Sequence, residues 1–448
     1  MPSSAPVRRN PLRAVFDIQR TELPLALLMF VYFFLVITTF WILKPIKKTV
    51  FIAFYEGRSF DWLGPALDGP QAELIAKVMN MVVAYAAVVV FSALAKGLRR
   101  QQLTFVFSGF FLTAYVAYSF VLGQAGEATV WSFYLFGDAF STLMVATFFA
   151  FLNDSVTPDK AKRIYGLVGL GGVAGGAFGS MFVRTLIDRV ETGAWMWICF
   201  GVGLAIVAVA FAAGRLVDRD PPPEPEPAPA AKQPAVGGNP ALEGARLVFR
   251  SSYLLSIVAI VGLYEIVSTV MDFQFTATIV HYLDGEAIGR QFATMYAITN
   301  SVALVVQLLF TSFVMTRFGV GVALLVLPLA ALGGSGVFLA MPILWVGSFL
   351  NTADNAFSYS INQSAKEALY VPTTKDEKYK AKAFIDMFVQ RFAKAVAVAV
   401  SLGVTAWFQD FSSVRWLSLF TVGVIGLWLV AARYAGRHFR EMTERPGG

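Results

Sequence analysis

Cysteine and histidine are almost absent from this chain, and charge is scarce. The one cysteine, Cys199, sits inside an apolar run, which excludes a disulfide framework and a thiolate metal cluster. The two histidines, His281 and His438, show no metal-ligand spacing, so neither a metal site nor a cofactor is expected. No Ser-His-Asp set or His-centred motif is visible, which argues against an enzyme. Charged residues make up 15% of the 448, against roughly a quarter in an average soluble domain. Apolar residues account for 57%, with 41 Phe and 9 Trp. They come in blocks of about 20, the length that crosses ~30 Å of hydrocarbon as a helix. Backbone amides cannot go unsatisfied in lipid, and the blocks lack strand alternation, so they read as membrane helices.

Twelve spans are expected, near 24–55, 73–95, 103–122, 131–152, 165–188, 194–214, 253–280, 291–314, 321–340, 343–365, 383–408 and 414–436. Between the sixth and seventh, the run from Pro221 to Pro240 is rich in Pro, Ala, Glu and Gly and reads as a solvated linker. The chain thus divides into an arm 1–22, a six-helix half 23–214, the linker 215–250, a second six-helix half 251–436 and a tail 437–448. This all-α organisation resembles the major facilitator fold, which implies two halves rocking about a site near the midplane.

Lys and Arg gather in the arm, at Lys96, Arg99 and Arg100, at Lys160, Lys162 and Arg163, between Lys366 and Lys382, and in the tail. The stretch 123–130 contains none, and 56–72 contains only Arg58. The positive-inside rule then places both termini in the cytoplasm, and the formal charge of +7 needs no nucleic acid to explain it. No cleavable signal peptide is expected, because the polar first 20 residues run into an apolar block long enough to remain a span.

An ionisable group at mid-bilayer costs ~2.5 kcal/mol or more, so it faces a cavity or a partner. Lys44, Lys47 and Lys48 follow the apolar run Phe30–Leu43 on one helical face, near a kink expected at Pro45. They form an anion clamp, or the helix stops at Leu43 and the lysines reach for the interface. The apolar run resuming at Val50–Phe54 does not suit an interface anchor. Asp138, in "SFYLFGDAFSTLMVATFFAF", lines a cavity or lies close to the outer surface.

Glu265 and Asp272 are seven apart on one face of the seventh span, with Thr269 between them, and a cavity role is expected. The tenth span carries a stripe of Asn351, Asp354, Asn355, Ser358, Tyr359, Asn362 and Lys366. Asn351, Asn355, Tyr359 and Asn362 are candidates to line the transport path, with hydrogen bonding between helices as the competing role. In the eleventh span Asp386, Gln390 and Lys394 succeed one another at steps of four. Lys394 needs an anion: Asp386, an acid on another helix, or substrate. The candidate substrate-binding set is therefore Lys44, Lys47, Asp138, Glu265, Asp272, Asp386 and Lys394.

The glycines Gly166, Gly169, Gly172, Gly175, Gly176 and Gly179 form no phosphate loop, since no strand or Gly-Lys-Ser/Thr accompanies them. Small residues at steps of three and four instead suit close helix packing in a membrane.

Four stretches resemble the bacterial and plastid ATP/ADP translocase family, a distant branch of the major facilitator superfamily. They are "FWILKPIKKTVFI", "FYLFGDAFSTLMVATFFAFLNDSVTPDKAKRIYGLVGLGG", "YEIVSTVMDFQF" and "YKAKAFIDMFVQRFAKA". The resemblance implies four charged substrate-site positions, Lys47, Asp138, Asp272 and Lys394, with the lysines meeting nucleotide phosphates. Asp stands at 138 and 272 where the family has Glu, and Pro45 where an acid is usual. The expected function is alternating-access transport of a small organic anion, with nucleotide exchange leading. The alternative is a proton-coupled carrier of another small solute, with Asp138, Glu265 or Asp272 taking the proton. A monomer in the lipid bilayer of a bacterial inner membrane is expected.

Overall fold

The computed structural model describes residues 19, 21–61, 66–219, 240–374, 381–408 and 410–444. The arm up to Ile18, the Pro-rich run over 220–239 and the tail beyond Glu444 lie outside the described residues. The regular elements are helices, and among the described residues the one extended pairing is an isolated bridge between Phe60 and Leu67. The long helices are α1 (Leu23–Phe54), α2 (Gly69–Gly97), α3 (Arg100–Val121), α4 (Glu127–Ser155), α5 (Pro158–Leu186) and α6 (Thr192–Arg219). After a short amphipathic helix, Pro240–Arg250, come α7 (Ser252–Tyr282), α8 (Glu286–Val305), α9 (Gly319–Ala340), α10 (Leu344–Phe357), α11 (Gln390–Trp407) and α12 (Trp416–Glu444). The expected linker is thus helical at both ends, and the expected tail continues α12 as far as Glu444.

Ten helices among the described residues are long and apolar enough to cross a membrane. The expected spans near 343–365 and 383–408 are not among them, for a physical reason. Both are helical, with π-turns at Ser358–Asn362 and Ile385–Val389, but polar and charged side chains are frequent in both and lower their hydropathy. Large apolar side chains such as Phe110, Phe120, Leu309, Phe392 and Leu427 stay exposed, as suits helices whose solvent is lipid. The protein is an all-α, multi-pass membrane protein.

Two compact units form. One draws on Met1–Lys47 and Val83–Pro227, the other on Lys48–Val82 and Ala228–Gly448. A boundary therefore falls inside α1, between Lys47 and Lys48, and another inside α2, between Val82 and Val83. The helix does not stop at Leu43: α1 continues through Pro45 to Phe54, so its lysines are helical residues.

In the first unit α5 lies hard against α1 because glycines remove the Cβ atoms from the contact. A Cβ on Gly171, Gly175 or Gly179 would come within 2.6, 2.4 and 2.7 Å of the carbonyl oxygens of Phe30, Phe34 and Thr38. The small-residue stripe is a packing surface, as expected. Its membership differs in part, since Gly166 and Gly169 have no neighbour within 4 Å while Gly171 does. Phe33 and Tyr32 add aromatic contacts to Phe148 at 4.6 and 4.9 Å between ring centres. At the start of α1, buried Glu22 accepts from Arg163 Nε at 3.1 Å, and this guanidinium holds its carboxyl below the usual range.

In the second unit α7 is central. Its Leu254, Ile257, Ile260 and Met271 belong to a core that includes Leu324, Leu327, Phe338 and Trp428. The first turns of α2 also pack here, with Leu74 clustered against Val270, Phe273, Ala397 and Leu417.

Gly175→Ala forces its methyl into the α1 backbone and should cost about 1–3 kcal/mol, seen as a lowered melting midpoint in detergent. Gly166→Ala, on open surface, should be neutral or slightly stabilising, and equal effects of the two would sink the packing role. Because Glu22 titrates lower in the folded protein, its contribution is present at neutral pH and lost as acid protonates it through that lowered value. Glu22→Gln should flatten the acid limb of a stability–pH profile.

Candidate functional site

Lys47 is 5% exposed, and an ammonium so placed needs a counter-charge. In the first unit α4 supplies it. Lys47 pairs with Asp138 and sits 4.3 Å from the centre of the Tyr134 ring, with the Tyr134 carbonyl at 3.5 Å. Gly137 makes the passage, since a Cβ there would lie 2.6 Å from Lys47 Cδ. One turn back, half-buried Lys44 holds its ammonium 4.4 Å over the Trp41 ring, a cation–π contact.

The second unit holds two further groups. On α7, Glu265 pairs with Lys394 of α11 at 3.0 Å. Two turns further along α7, Asp272 accepts from Lys48 Nζ at 3.3 Å, from Asn351 Nδ2 at 3.3 Å, and from Lys77. Glu73, on α2, takes the other sides of the same lysines, 3.2 Å from Lys48 and 3.6 Å from Lys77, and accepts from Thr276 Oγ1 at 3.3 Å. Two ammonium groups thus stand against two carboxylates. Lys48 also lies 5.1 Å from the centre of the Phe292 ring.

The profile of the Major Facilitator Superfamily matches residues 138–375, more than half of the sequence. The chain belongs to the Major Facilitator Superfamily. A second profile, the TLC ATP/ADP transporter, matches residues 329–439 of this major facilitator protein. The chain is similar to the chloroplastic ADP,ATP carrier protein 2 of Arabidopsis thaliana, at 22% identity over 70% of this chain and 55% of the carrier. It is also similar to ADP,ATP carrier protein 1 of Chlamydia trachomatis, at 21% identity over 95% of this chain and 90% of that one. The chain therefore spans about half the length of the plastid carriers it matches, and most of the chlamydial one.

Among solved structures, a bacterial homologue of the human lysosomal transporter Spinster superposes with a TM-score of 0.59 at 13% identity, covering 96% of this chain and 100% of its own. The nucleoside transporter NupG gives 0.57 at 12% identity, with 95% and 100% covered. At these identities the likeness concerns the fold.

Within this major facilitator chain, Lys47 meets Asp138 and Lys394 meets Glu265, which answers where Lys394 finds an anion. Asp272 is engaged by Lys48 and Lys77. Asn351 joins that network, and Asn355 donates to the Asn351 carbonyl at 2.9 Å. Tyr359 is exposed, whereas Asn362 is buried with neither amide atom hydrogen-bonded. The side chain of Asp386 lies outside the described residues. Along the same stripe Asp354 accepts from Ser268 at 2.6 Å and Ser358 meets Tyr264 at 2.6 Å, so those two tie α10 and the π-turn after it to α7.

Glu73 and Lys77 escaped the sequence reading because they sit at the edge of an expected span. An opposite-charge pair four apart, just inside an apolar helix, was the available signal.

Removing half-buried Asp138 deprives buried Lys47 of its paired carboxylate. Asp138→Leu should therefore destabilise by about 3–5 kcal/mol. Lys47→Met combined with Asp138→Leu should recover most of that loss in the same melting assay. A double variant as unstable as the single one would show that the loss does not come from a buried lysine deprived of its carboxylate.

Proposed function

We propose that this chain is a secondary transporter that exchanges organic anions by alternating access, with nucleotides of the ATP/ADP type as cargo. The observation that carries this reading is a lysine held by a carboxylate between helices of each unit: Lys47 with Asp138, and Lys394 with Glu265. Such a pair is neutral when empty. An incoming phosphate offers the ammonium a stronger, multiply charged acceptor and takes the carboxylate's place. The carrier then has two stable arrangements of charge, one with its own acid and one with cargo, and a bare lysine in neither. That favours exchange over leak.

The TLC profile and the ADP,ATP carriers among its relatives support nucleotide as the cargo. Superfamily membership supports transport over catalysis, the bacterial carriers among its relatives support an inner-membrane location, and the basic loops support cytoplasmic termini. The proton-coupled alternative draws less support. Asp138 and Glu265 are each paired with a lysine, so protonating either would take away that ammonium's paired carboxylate, and Asp272 serves two lysines at once.

Purified protein should melt at a higher temperature with ATP or ADP than with unrelated organic anions, by about 2.7 kcal/mol of added stability at one hundred times the dissociation constant. Lys47→Gln and Lys394→Gln should each abolish nucleotide uptake into proteoliposomes while keeping the ligand-free melting curve cooperative. Normal uptake by both variants would remove the charge-pair mechanism. A shift produced only by a non-nucleotide anion would move the cargo elsewhere.

A further inference from the structure

The four-charge network of the second unit differs from the simple pairs in how its members are exposed. Glu73 and Lys48 keep 2% and 4% of their side-chain surface, Lys77 keeps 16%, and Asp272 keeps 27%. Glu73 is enclosed, with both lysines and the Thr276 hydroxyl upon it. Asp272 is the accessible acid, and three donors from three helices converge on its carboxylate: Lys48 of α1, Lys77 of α2 and Asn351 of α10. Its Oδ2 is shared by both lysines. A tetrahedral oxyanion would give each donor an oxygen of its own, which two carboxylate oxygens cannot do.

We propose that Lys48 and Lys77 form a phosphate-binding pair in the second unit, with Asp272 as the internal anion that phosphate displaces and Glu73 as the buried acid that positions both lysines. Once Asp272 is displaced, two lysines face one remaining carboxylate, and the excess positive charge is what an anionic phosphate answers. Asn351 supplies a third, neutral donor. Glu73 touches no cargo; it holds the ammonium groups in place and prevents them from repelling one another apart. This rests on the anion-exchange function only in taking the cargo to be anionic.

The test is titration calorimetry of the full chain in detergent with inorganic phosphate as probe. Asp272→Asn should bind phosphate about tenfold more tightly than wild type, because no internal anion competes. Adding Lys77→Gln to that variant should erase the gain, and Lys77→Arg should retain it. A gain in affinity cannot come from misfolding. Asp272→Asn binding no more tightly, or a gain that survives Lys77→Gln, would overturn the proposal even if nucleotide exchange proves to need Lys47 and Lys394. The expected phosphate pattern in a protein that moves no nucleotide would support this site and remove only the nucleotide from the proposed function.

Discussion

A lysine ammonium inside a membrane helix has no water to solvate it, so its counter-charge must come from the protein or from cargo. This constraint shapes the polar interior of both units. Lys47 finds Asp138, Lys394 finds Glu265, and Lys48 with Lys77 finds Glu73 with Asp272. At Lys44 an aromatic face meets the ammonium. Replacing such charges by apolar groups would be no loss to stability in general, since desolvation offsets most of what ion pairing returns. Their presence therefore points to use rather than to architecture.

The backbone is built to deliver these groups. Gly137 lets the lysine stem of α1 cross α4, and Gly171, Gly175 and Gly179 let α5 approach the α1 backbone closely enough to hold that helix in place. In the second unit the first turns of α2 pack against α7 through Leu74 and Phe273, which carries Glu73 and Lys77 to Asp272. The π-turns at Ser358–Asn362 and Ile385–Val389 interrupt the helices that bear the polar stripe and precede Lys394. Each such turn rotates the helix beyond it by part of a turn, and π-turns recur where polar groups line a working site.

Neutral internal pairing also bears on how a carrier resists leak. Each paired ammonium already has its carboxylate, so the proposed exchange needs an anion able to compete with a partner at hydrogen-bonding distance. Phosphate groups meet that requirement better than monovalent organic acids, because they bring more charge and more acceptor oxygens to point-charge donors.

Much of this was legible in the sequence. Block length and composition determined a helical membrane protein, and the cost of charge in lipid singled out Lys47, Asp138, Glu265, Asp272 and Lys394. The glycine stripe of α5 was readable as a packing surface, although Gly166 and Gly169 proved to lie outside it and Gly171 within. These inferences need only local quantities, namely the transfer free energy of a side chain and the period of a helix. Pairing is different, because an ammonium meets whichever carboxylate the packing of distant helices brings within about 4 Å. Which lysine holds Asp272, that Lys394 ends on Glu265, and that Glu73 and Lys77 belong to the site at all were decided by the tertiary structure, through contacts between residues up to 224 positions apart.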